Sequence, residues 1–220
     1  MKKLESLGIA AAAALWFPLV ASGQAPTKPA EKKVVPADTA APHHDMAGMG
    51  NMPGMSAPIT IPKGALYTVA DVEFMQGMIA HHGQAIYMSR LALSRGASPR
   101  VLKFANKIDQ SQAAEIHLMQ EWLVANKQTA PVAESWHTMS MPGMLTPEQL
   151  KTLDAAKGAE FDRQFLNLMI QHHNGALLMV KDLFGTPRAA QDVDISVFAN
   201  DVFTVQTAEI DIMHQMLANL

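Results

Sequence analysis

FMQGMIAHHGQAIYM (74–88) and FLNLMIQHHNGALLM (165–179) are two copies of one motif, separated by a constant 91 residues. A second pair of stretches, QAAEIHLM (112–119) and QTAEIDIM (206–213), repeats 94 residues apart. Two similar helical pairs joined by a crossover predict a four-helix bundle built from two similar αα-hairpins, with a pseudo-two-fold axis. The residues that both halves share should then converge on one central region.

Helical periodicity and capping signals set the bounds of the expected elements. The first helix is expected over about 69–94, with a stop at Gly96, and the second from Ser98-Pro99 to near Asn126. Thr146-Pro147-Glu148-Gln149 is a capping box that predicts a short helix. The third long helix is expected over about 160–184, closed by Gly185, and the fourth from Asp192 or Asp194 to the end of the chain. No segment alternates like a strand, so the predicted fold class is all-α.

The chain divides into three parts by composition. Residues 1–25 resemble a signal peptide, with Lys2 and Lys3, an apolar run over 9–20 and small residues over 21–25, so we expect export, most simply to a periplasm. A retained anchor is the alternative, although the run is short for a membrane span and Pro18 interrupts it. Residues 26–66 are expected to be a disordered Met/His-rich linker. Residues 67–220 form the expected bundle domain, with the repeat over 71–126 and 160–220 and a Met-rich loop over 127–145.

The amino-acid composition favours a soft metal ion as ligand. The chain has 16 methionines and 9 histidines but no cysteine, which excludes disulfides, thiolate sites and iron–sulfur clusters. Thioether and imidazole are the ligands that remain, and this pair favours copper first and silver second. Lys and Arg number 17 against 20 Asp and Glu, so no basic excess is available for nucleic acid.

Polar residues fall on the apolar faces of all four long helices when these are wound at about 100° per residue. The first and third helices place histidine pairs there, beside methionines: Met78, His81, His82 and Met88, and Met169, His172, His173 and Met179. The second and fourth helices place a glutamate near the centre of each face: Val101, Phe104, Ile108, Glu115, Leu118, Met119 and Trp122, and Phe198, Val202, Val205, Glu209, Ile212, Met213 and Met216. A buried carboxylate is unfavourable unless it is paired or binds a metal. The cluster is therefore either a metal site with methionines as soft neighbours or a His–Glu lattice that fixes helix register.

Two polar segments outside the predicted helices also concentrate soft donors. The linker holds His43, His44, Met46, Met49, Met52 and Met55, and the loop holds His137, Met139, Met141 and Met144. Such segments have no evident packing reason to carry closely spaced methionines. Thioethers on a flexible chain can wrap Cu(I) or Ag(I), and adjacent histidines can take Cu(II), so the expected ion is copper as Cu(I), Cu(II) or both, with silver as a further candidate. The alternatives are compositional drift and contact with a partner surface.

The doubled MI-x-HH…A…M motif, preceded by DVEF (71–74) and FDRQF (161–165), resembles a family of exported bacterial proteins known as domain of unknown function 305. The resemblance covers about residues 67–218. It implies a ferritin-like four-helix bundle and an association with periplasmic copper binding and tolerance. This association carries over to His81, His82, His172, His173 and the methionines beside them.

The leading hypothesis is a periplasmic protein that sequesters or transfers copper, with other copper-handling proteins of that compartment as candidate partners. A ferritin-like metal oxidase is a second hypothesis, but its usual Glu-x-x-His spacing is absent because Leu118 and Ile212 follow Glu115 and Glu209. A structural or partner-binding helical protein is the third, and it predicts no stoichiometric metal uptake. We therefore expect no enzymatic activity, and no stable membrane insertion once the signal is removed.

Overall fold

The computed structural model describes residues 58–220, which contain five α-helices and one short 3₁₀ helix. The elements in chain order are α1 (Val69–Ser94), α2 (Pro99–Ala125), the 3₁₀ helix (Ala133–His137), α3 (Pro147–Ala155), α4 (Gly158–Gly185) and α5 (Val193–Leu217). The expected signal peptide and residues 26–57 of the expected linker lie outside the described residues. So do the candidate ligands His43, His44, Met46, Met49, Met52 and Met55.

Local capping chemistry explains where the helices begin and end. Ser98 caps α2 directly before Pro99, the Thr146–Gln149 capping box opens α3, and Asp192 accepts hydrogen bonds from the first turn of α5. After α1, Gly96 adopts a left-handed conformation with φ +68°, which glycine tolerates without strain. These predicted boundaries are confirmed, and α4 starts at Gly158, two residues before the expected position.

The helices form two hairpins, and the first helix of one hairpin packs against the first helix of the other. α1 packs on α2, α4 packs on α5, and α1 and α4 join the hairpins. The Gly158 N–H donates to the Arg95 carbonyl at 2.9 Å, which places the start of α4 at the end of α1, so these two helices run antiparallel. The all-α four-helix bundle is therefore confirmed, with α3 and the 3₁₀ helix in the crossover between the hairpins.

Two equivalent aspartates tie each hairpin to the turn of the other. Asp71 on α1 accepts a hydrogen bond from the Ala190 N–H in the α4–α5 turn at 2.7 Å. Asp162 on α4, its equivalent in the repeat, accepts from the Ser98 N–H in the α1–α2 turn at 3.2 Å. Both carboxylates are buried, so these contacts are shielded from water. They fix the relative position of the two hairpins.

The apolar core separates into two clusters. Along both α1 and α4, the histidine pair lies between the residues that belong to one cluster and those that belong to the other. One cluster includes Met78 and Met179, and the other includes Met88 and Met169. All four methionines are fully buried. A polar layer at mid-height of the bundle is thus bounded by methionines on both sides.

The expected buried faces of α2 and α5 are wrong at three positions. Leu118 is 56% exposed, Val205 38% and Ile212 36%. In the described bundle α2 and α5 have little contact with each other, so the outer part of each apolar arc remains uncovered.

The 127–145 loop differs from the polar, flexible segment that the sequence suggested. Met141 is buried in the core, and Met139 and Met144 pack against it. The expected linker also ends earlier than residue 66, because Ile59 and Ile61 pack on the same cluster. Both differences have one cause, which is that an extended segment can bury isolated apolar side chains without helical periodicity.

Candidate metal site

The centre of the bundle is a contact between two histidines, one from each half of the repeat. His81 on α1 and His172 on α4 are fully buried, and their ring centroids lie 3.8 Å apart with 40° between the planes. The antiparallel packing of α1 and α4 brings these equivalent positions together. The predicted convergence of the two motifs on one region is therefore seen in the structure.

The other histidine of each pair contacts a glutamate of its own hairpin. His82 Nε2 lies 2.6 Å from Glu115 Oε2, and His173 Nε2 lies 2.8 Å from Glu209 Oε2. A carboxylate is an acceptor, so Nε2–H donates in both pairs, and Nδ1 is the nitrogen that carries the lone pair whenever the ring is neutral. Those two Nδ1 atoms are buried and have no hydrogen-bond partner. A carboxylate behind an imidazole is the arrangement that orients histidine ligands in many metal sites.

The two central histidines are neutral and incompletely paired. Burial, followed by the neighbouring His82, lowers the pKa of His81 to about 3, and its Nε2–H donates to the Pro142 carbonyl at 3.1 Å. Burial and then His81 hold the pKa of His172 well below the ordinary imidazole value. Among the described residues, Nδ1 of His81 has no partner and neither ring nitrogen of His172 makes a hydrogen bond of standard geometry, although the His81 backbone is near enough to oppose the lowering of the His172 pKa. Neutral imidazole is the form that binds metals, so these nitrogens fit the role of ligands.

Two glutamines complete the layer, and the sequence reasoning gave them no role. Gln112 and Gln206 are buried, each three residues before the glutamate of its helix, and the Oε1 atom of each lacks a partner. Their common spacing in QAAE (112–115) and QTAE (206–209) was the available signal. Buried polar atoms are satisfied in most proteins, so this concentration of unpaired atoms among the described residues is unusual for a packed core.

The two halves of the layer differ in charge. Lys107 on α2 lies 3.2 Å from Glu209 Oε1. Burial opposes ionisation of Glu209, but the hydrogen bonds and charges of His173 and Lys107 outweigh it and lower the pKa. The equivalent of Lys107 in the repeat is Asp201, so Glu115 has no matching lysine. Its side chain is 24% exposed, more than a central position on the apolar face predicts.

The 127–145 loop covers the layer by close contact with the helix backbones. A Cβ at Gly83 would lie 2.0 Å from the Ala133 carbonyl oxygen. A Cβ at Gly175 would lie 1.9 Å from the Pro142 carbonyl oxygen. Gln84 accepts from the Leu145 N–H at 2.7 Å and donates to its carbonyl at 3.2 Å. Glycine and glutamine in the HHGQ and HHNG segments therefore hold the loop over the histidines.

The predicted site residues separate into distinct places. The histidine pairs and both glutamates form the layer, and Met78, Met88, Met169 and Met179 flank it. Met141 belongs to the core rather than to a flexible segment, whereas His137, Met139 and Met144 line a surface cleft. Among the described residues, no three or more His, Asp or Glu side chains stand together as a ready-made cation site.

Comparisons with known proteins agree with this architecture. Residues 71–217 match the model of the family described as domain of unknown function, DUF305. A DUF305 fragment from Deinococcus radiodurans is 28% identical with a TM-score of 0.62, over 70% of this chain and 99% of that one. A DUF305 protein from Streptomyces coelicolor is 29% identical with a TM-score of 0.61, over 68% and 93%.

A third similar structure is CopM in a Cu(I)-bound form, at 30% identity and a TM-score of 0.54, over 68% of this chain and 96% of that one. CopM also has Ag-bound and Cu(II)-bound structures. No curated protein sequence matches the chain. The family match covers more than half of the sequence, and the chain belongs to the DUF305 family.

Proposed function

We propose that this protein binds monovalent copper, and silver as a second ion, in the polar layer of the bundle, and that it sequesters the ion or transfers it. The observation that carries the proposal is the contact of His81 and His172, whose buried, neutral rings leave three nitrogens without protein partners. Copper is here the cargo of the protein. Imidazole and thioether together suit Cu(I) and Ag(I) better than magnesium or calcium.

A purely structural brace is a weaker interpretation of the same residues. A brace gains stability when its polar groups are all satisfied, and an incompletely satisfied network is less stable than an apolar core. His82 and His173 have their glutamates, but His172 contributes a desolvated ring with no hydrogen bond. A bound ion coordinated by the unpaired nitrogens would compensate for their desolvation, which explains polar residues at these core positions.

The geometry supports different roles for the histidines and the glutamates. His81 and His172 are the proposed central ligands, and His82 and His173 can each offer Nδ1. Glu115 and Glu209 act as orienting acceptors behind the rings rather than as direct ligands, since their Oε2 atoms already accept from Nε2. Met78, Met88, Met169 and Met179 supply thioethers on both sides of the layer. Binding rather than catalysis is proposed, because the carboxylates of the layer are already paired.

The solved CopM structures with Cu(I) and Ag support this choice of ions, as properties of a relative with the same fold, and a further structure shows that this relative also binds Cu(II). We further propose that the chain acts after export, in the periplasm, with metal ions and other copper-handling proteins as partners and with no role for nucleic acid. No described helix has both the length and the apolar character to cross a membrane.

The test compares Ag(I) and Cu(I) binding by the mature chain with that of His81→Leu/His172→Leu. We expect the double variant to lose at least one bound equivalent while its circular dichroism stays helical. His117→Leu is the matched control, because this histidine is exposed on α2 and should leave binding unchanged. A folded double variant with wild-type stoichiometry and affinity would contradict the proposal and make the layer a brace.

A further inference from the structure

A cleft of about 570 Å³ opens on the surface beside the polar layer, between the 127–145 loop, α1 and α3. Its wall includes Tyr87 of α1, Trp136 and His137 of the 3₁₀ helix, and Met139 and Met144 of the loop. The cleft is open to solvent, in contrast to the fully buried histidines at the bundle centre. It therefore offers soft donors in a place that an ion can reach directly.

The donors in this cleft contribute only partly to the core, since Met139 and Met144 pack against it while half-buried. His137 is exposed, and Met139 and Met144 are half-buried with one side toward the cleft. Met141 lies between them in sequence but is 6% exposed and belongs to the core. The loop thus separates its methionines into one packing residue and two that face accessible space.

An aromatic pair closes one side of the same cleft. The rings of Trp136 and His137 stack at 3.6 Å with 28° between their planes, and Tyr87 lies 5.2 Å from Trp136. The His137 ring covers one face of the indole, so Trp136 forms an aromatic wall of the cleft. The stack also fixes the direction of the His137 ring.

The backbone that carries these side chains is well defined. The 3₁₀ helix rests against Gly83 of α1, where no side chain would fit. The Met144 N–H donates to the Met141 carbonyl at 3.2 Å, and Gly143 in this turn has φ +78°. Met139 and Met144 therefore flank a fixed turn rather than a freely moving chain.

Charge in the cleft does not favour a divalent ion. Lys151 and Asp154 both line it, so one cation offsets one anion, and Arg95 pairs with Asp154. Selection must then come from ligand softness. Two thioethers and one imidazole match a monovalent soft ion and offer little to Zn²⁺ or Mg²⁺.

We propose that this cleft is a second, surface site for monovalent copper or silver, with His137, Met139 and Met144 as ligands and Trp136 as part of the wall beside them. The choice of ion rests on the proposed function, but the site is separate from the buried layer. The loop also reaches His81 through the Pro142 carbonyl, so one element borders both sites. An exposed site of this kind suits capture and exchange of the ion.

Tryptophan emission of the mature chain during titration with silver nitrate tests the site. The mature chain has two tryptophans, Trp122 and Trp136, and Trp136→Phe assigns the signal. We expect Ag(I) to change Trp136 emission, and Met139→Leu/Met144→Leu to weaken this response at least tenfold. Met141→Leu is the matched control, with the same chemical change at a core position and the response retained. Zn(II) should produce no comparable change.

Two results would overturn the inference: no Trp136 response to Ag(I), or a response that Met139→Leu/Met144→Leu leaves intact. The buried layer is tested separately with His81→Leu/His172→Leu. This variant should keep the Trp136 response and lose the equivalent of Ag(I) that binds in the layer. A lost Trp136 response in the methionine variant, with no effect of the histidine variant on stoichiometry, would support the cleft and contradict only the layer.

Discussion

His172 and His173 are adjacent, equally buried histidines in very different situations. His173 donates to Glu209, whereas neither ring nitrogen of His172 has a protein partner. The first ring stabilises a buried carboxylate, and the second is a desolvated polar group that, among the described residues, has only a weak contact with the His81 backbone. Their removal should therefore have opposite effects on the metal-free protein.

We predict that His172→Leu leaves the free energy of unfolding unchanged or raises it by about 1 kcal/mol, because an apolar side chain replaces an unsatisfied one. His173→Leu should lower it by about 2 kcal/mol, because Glu209 loses one of its two partners. Chemical denaturation with a metal chelator present measures both. Equal destabilisation by the two variants would show that His172 has a stabilising contact of its own.

The central histidines also predict acid sensitivity of the metal-free protein. The pKa values of His81 and His172 are lowered in the fold, so below about pH 6.5 the unfolded chain binds protons that the folded chain does not. The free energy of unfolding should fall as the pH decreases from about 6.5 toward 3, by about 1 kcal/mol per pH unit for each histidine. Denaturation across this range checks the slope, and His172→Leu should reduce it. A slope that His172→Leu leaves unchanged would contradict this assignment.

Residue-level chemistry was predictable where the repeat displays it. The histidine pairs and Glu115 and Glu209 stand in register in both halves, so periodicity alone places them together. Lys107 could not be predicted as a partner of Glu209, since 102 residues separate them and only tertiary packing brings the ammonium group to the carboxylate. The unpaired state of His172 is likewise a property of the packed bundle.

At the scale of elements, the 127–145 loop depends on glycine at its crossing with α4. A Cβ at Gly175 would meet the Pro142 carbonyl oxygen at 1.9 Å and the Gly143 Cα at 2.5 Å. Both are backbone atoms, so the loop must move to accept a side chain. The crossing is therefore specific for glycine.

We predict that Gly175→Ala lowers the free energy of unfolding by about 2 kcal/mol through overpacking and makes the loop more sensitive to protease. Gly185→Ala is the matched control at the end of the same helix, where a Cβ meets nothing within 4 Å, and it should change stability by less than about 0.5 kcal/mol. Limited proteolysis measures the exposure of the loop, and chemical denaturation measures the free energy of unfolding. A protected loop in Gly175→Ala would show that the crossing tolerates a side chain.

The positions of the helices could be predicted from the sequence, because each helix has its own apolar periodicity and capping residues. The loop did not, since its buried residues Met141 and Leu145 are fixed by contacts with α1 and α4 rather than by a local pattern. The same limit explains why the methionines of the loop could be counted from the sequence but not divided between core and cleft.

At the scale of the whole molecule, the pseudo-two-fold symmetry holds for the backbone and the histidines but not for charge. Lys107 neutralises Glu209 in one half, and Asp201 takes the equivalent position in the other. The Glu115 half therefore keeps more negative charge and more exposure to water. This asymmetry favours the approach of a cation from the Glu115 side.

The Met/His-rich segment over 43–55 gives a prediction about the chain without residues 1–25. Deleting residues 43–55 should lower the number of bound Cu(I) ions, because it removes two histidines and four methionines, and it should leave the helical content unchanged. Competitive titration and circular dichroism measure the two quantities. An unchanged copper stoichiometry would show that this segment is not a binding segment.

The central claim is that the mature protein binds a monovalent soft ion through imidazole and thioether groups. Competitive titration of Cu(I) against a chromophoric chelator, with Zn(II) in parallel, tests it most directly. We predict that the protein removes at least one equivalent of Cu(I) from the chelator and binds Zn(II) much more weakly. If the chelator keeps all of the Cu(I), the account is contradicted, and the histidine layer is a structural feature of the bundle.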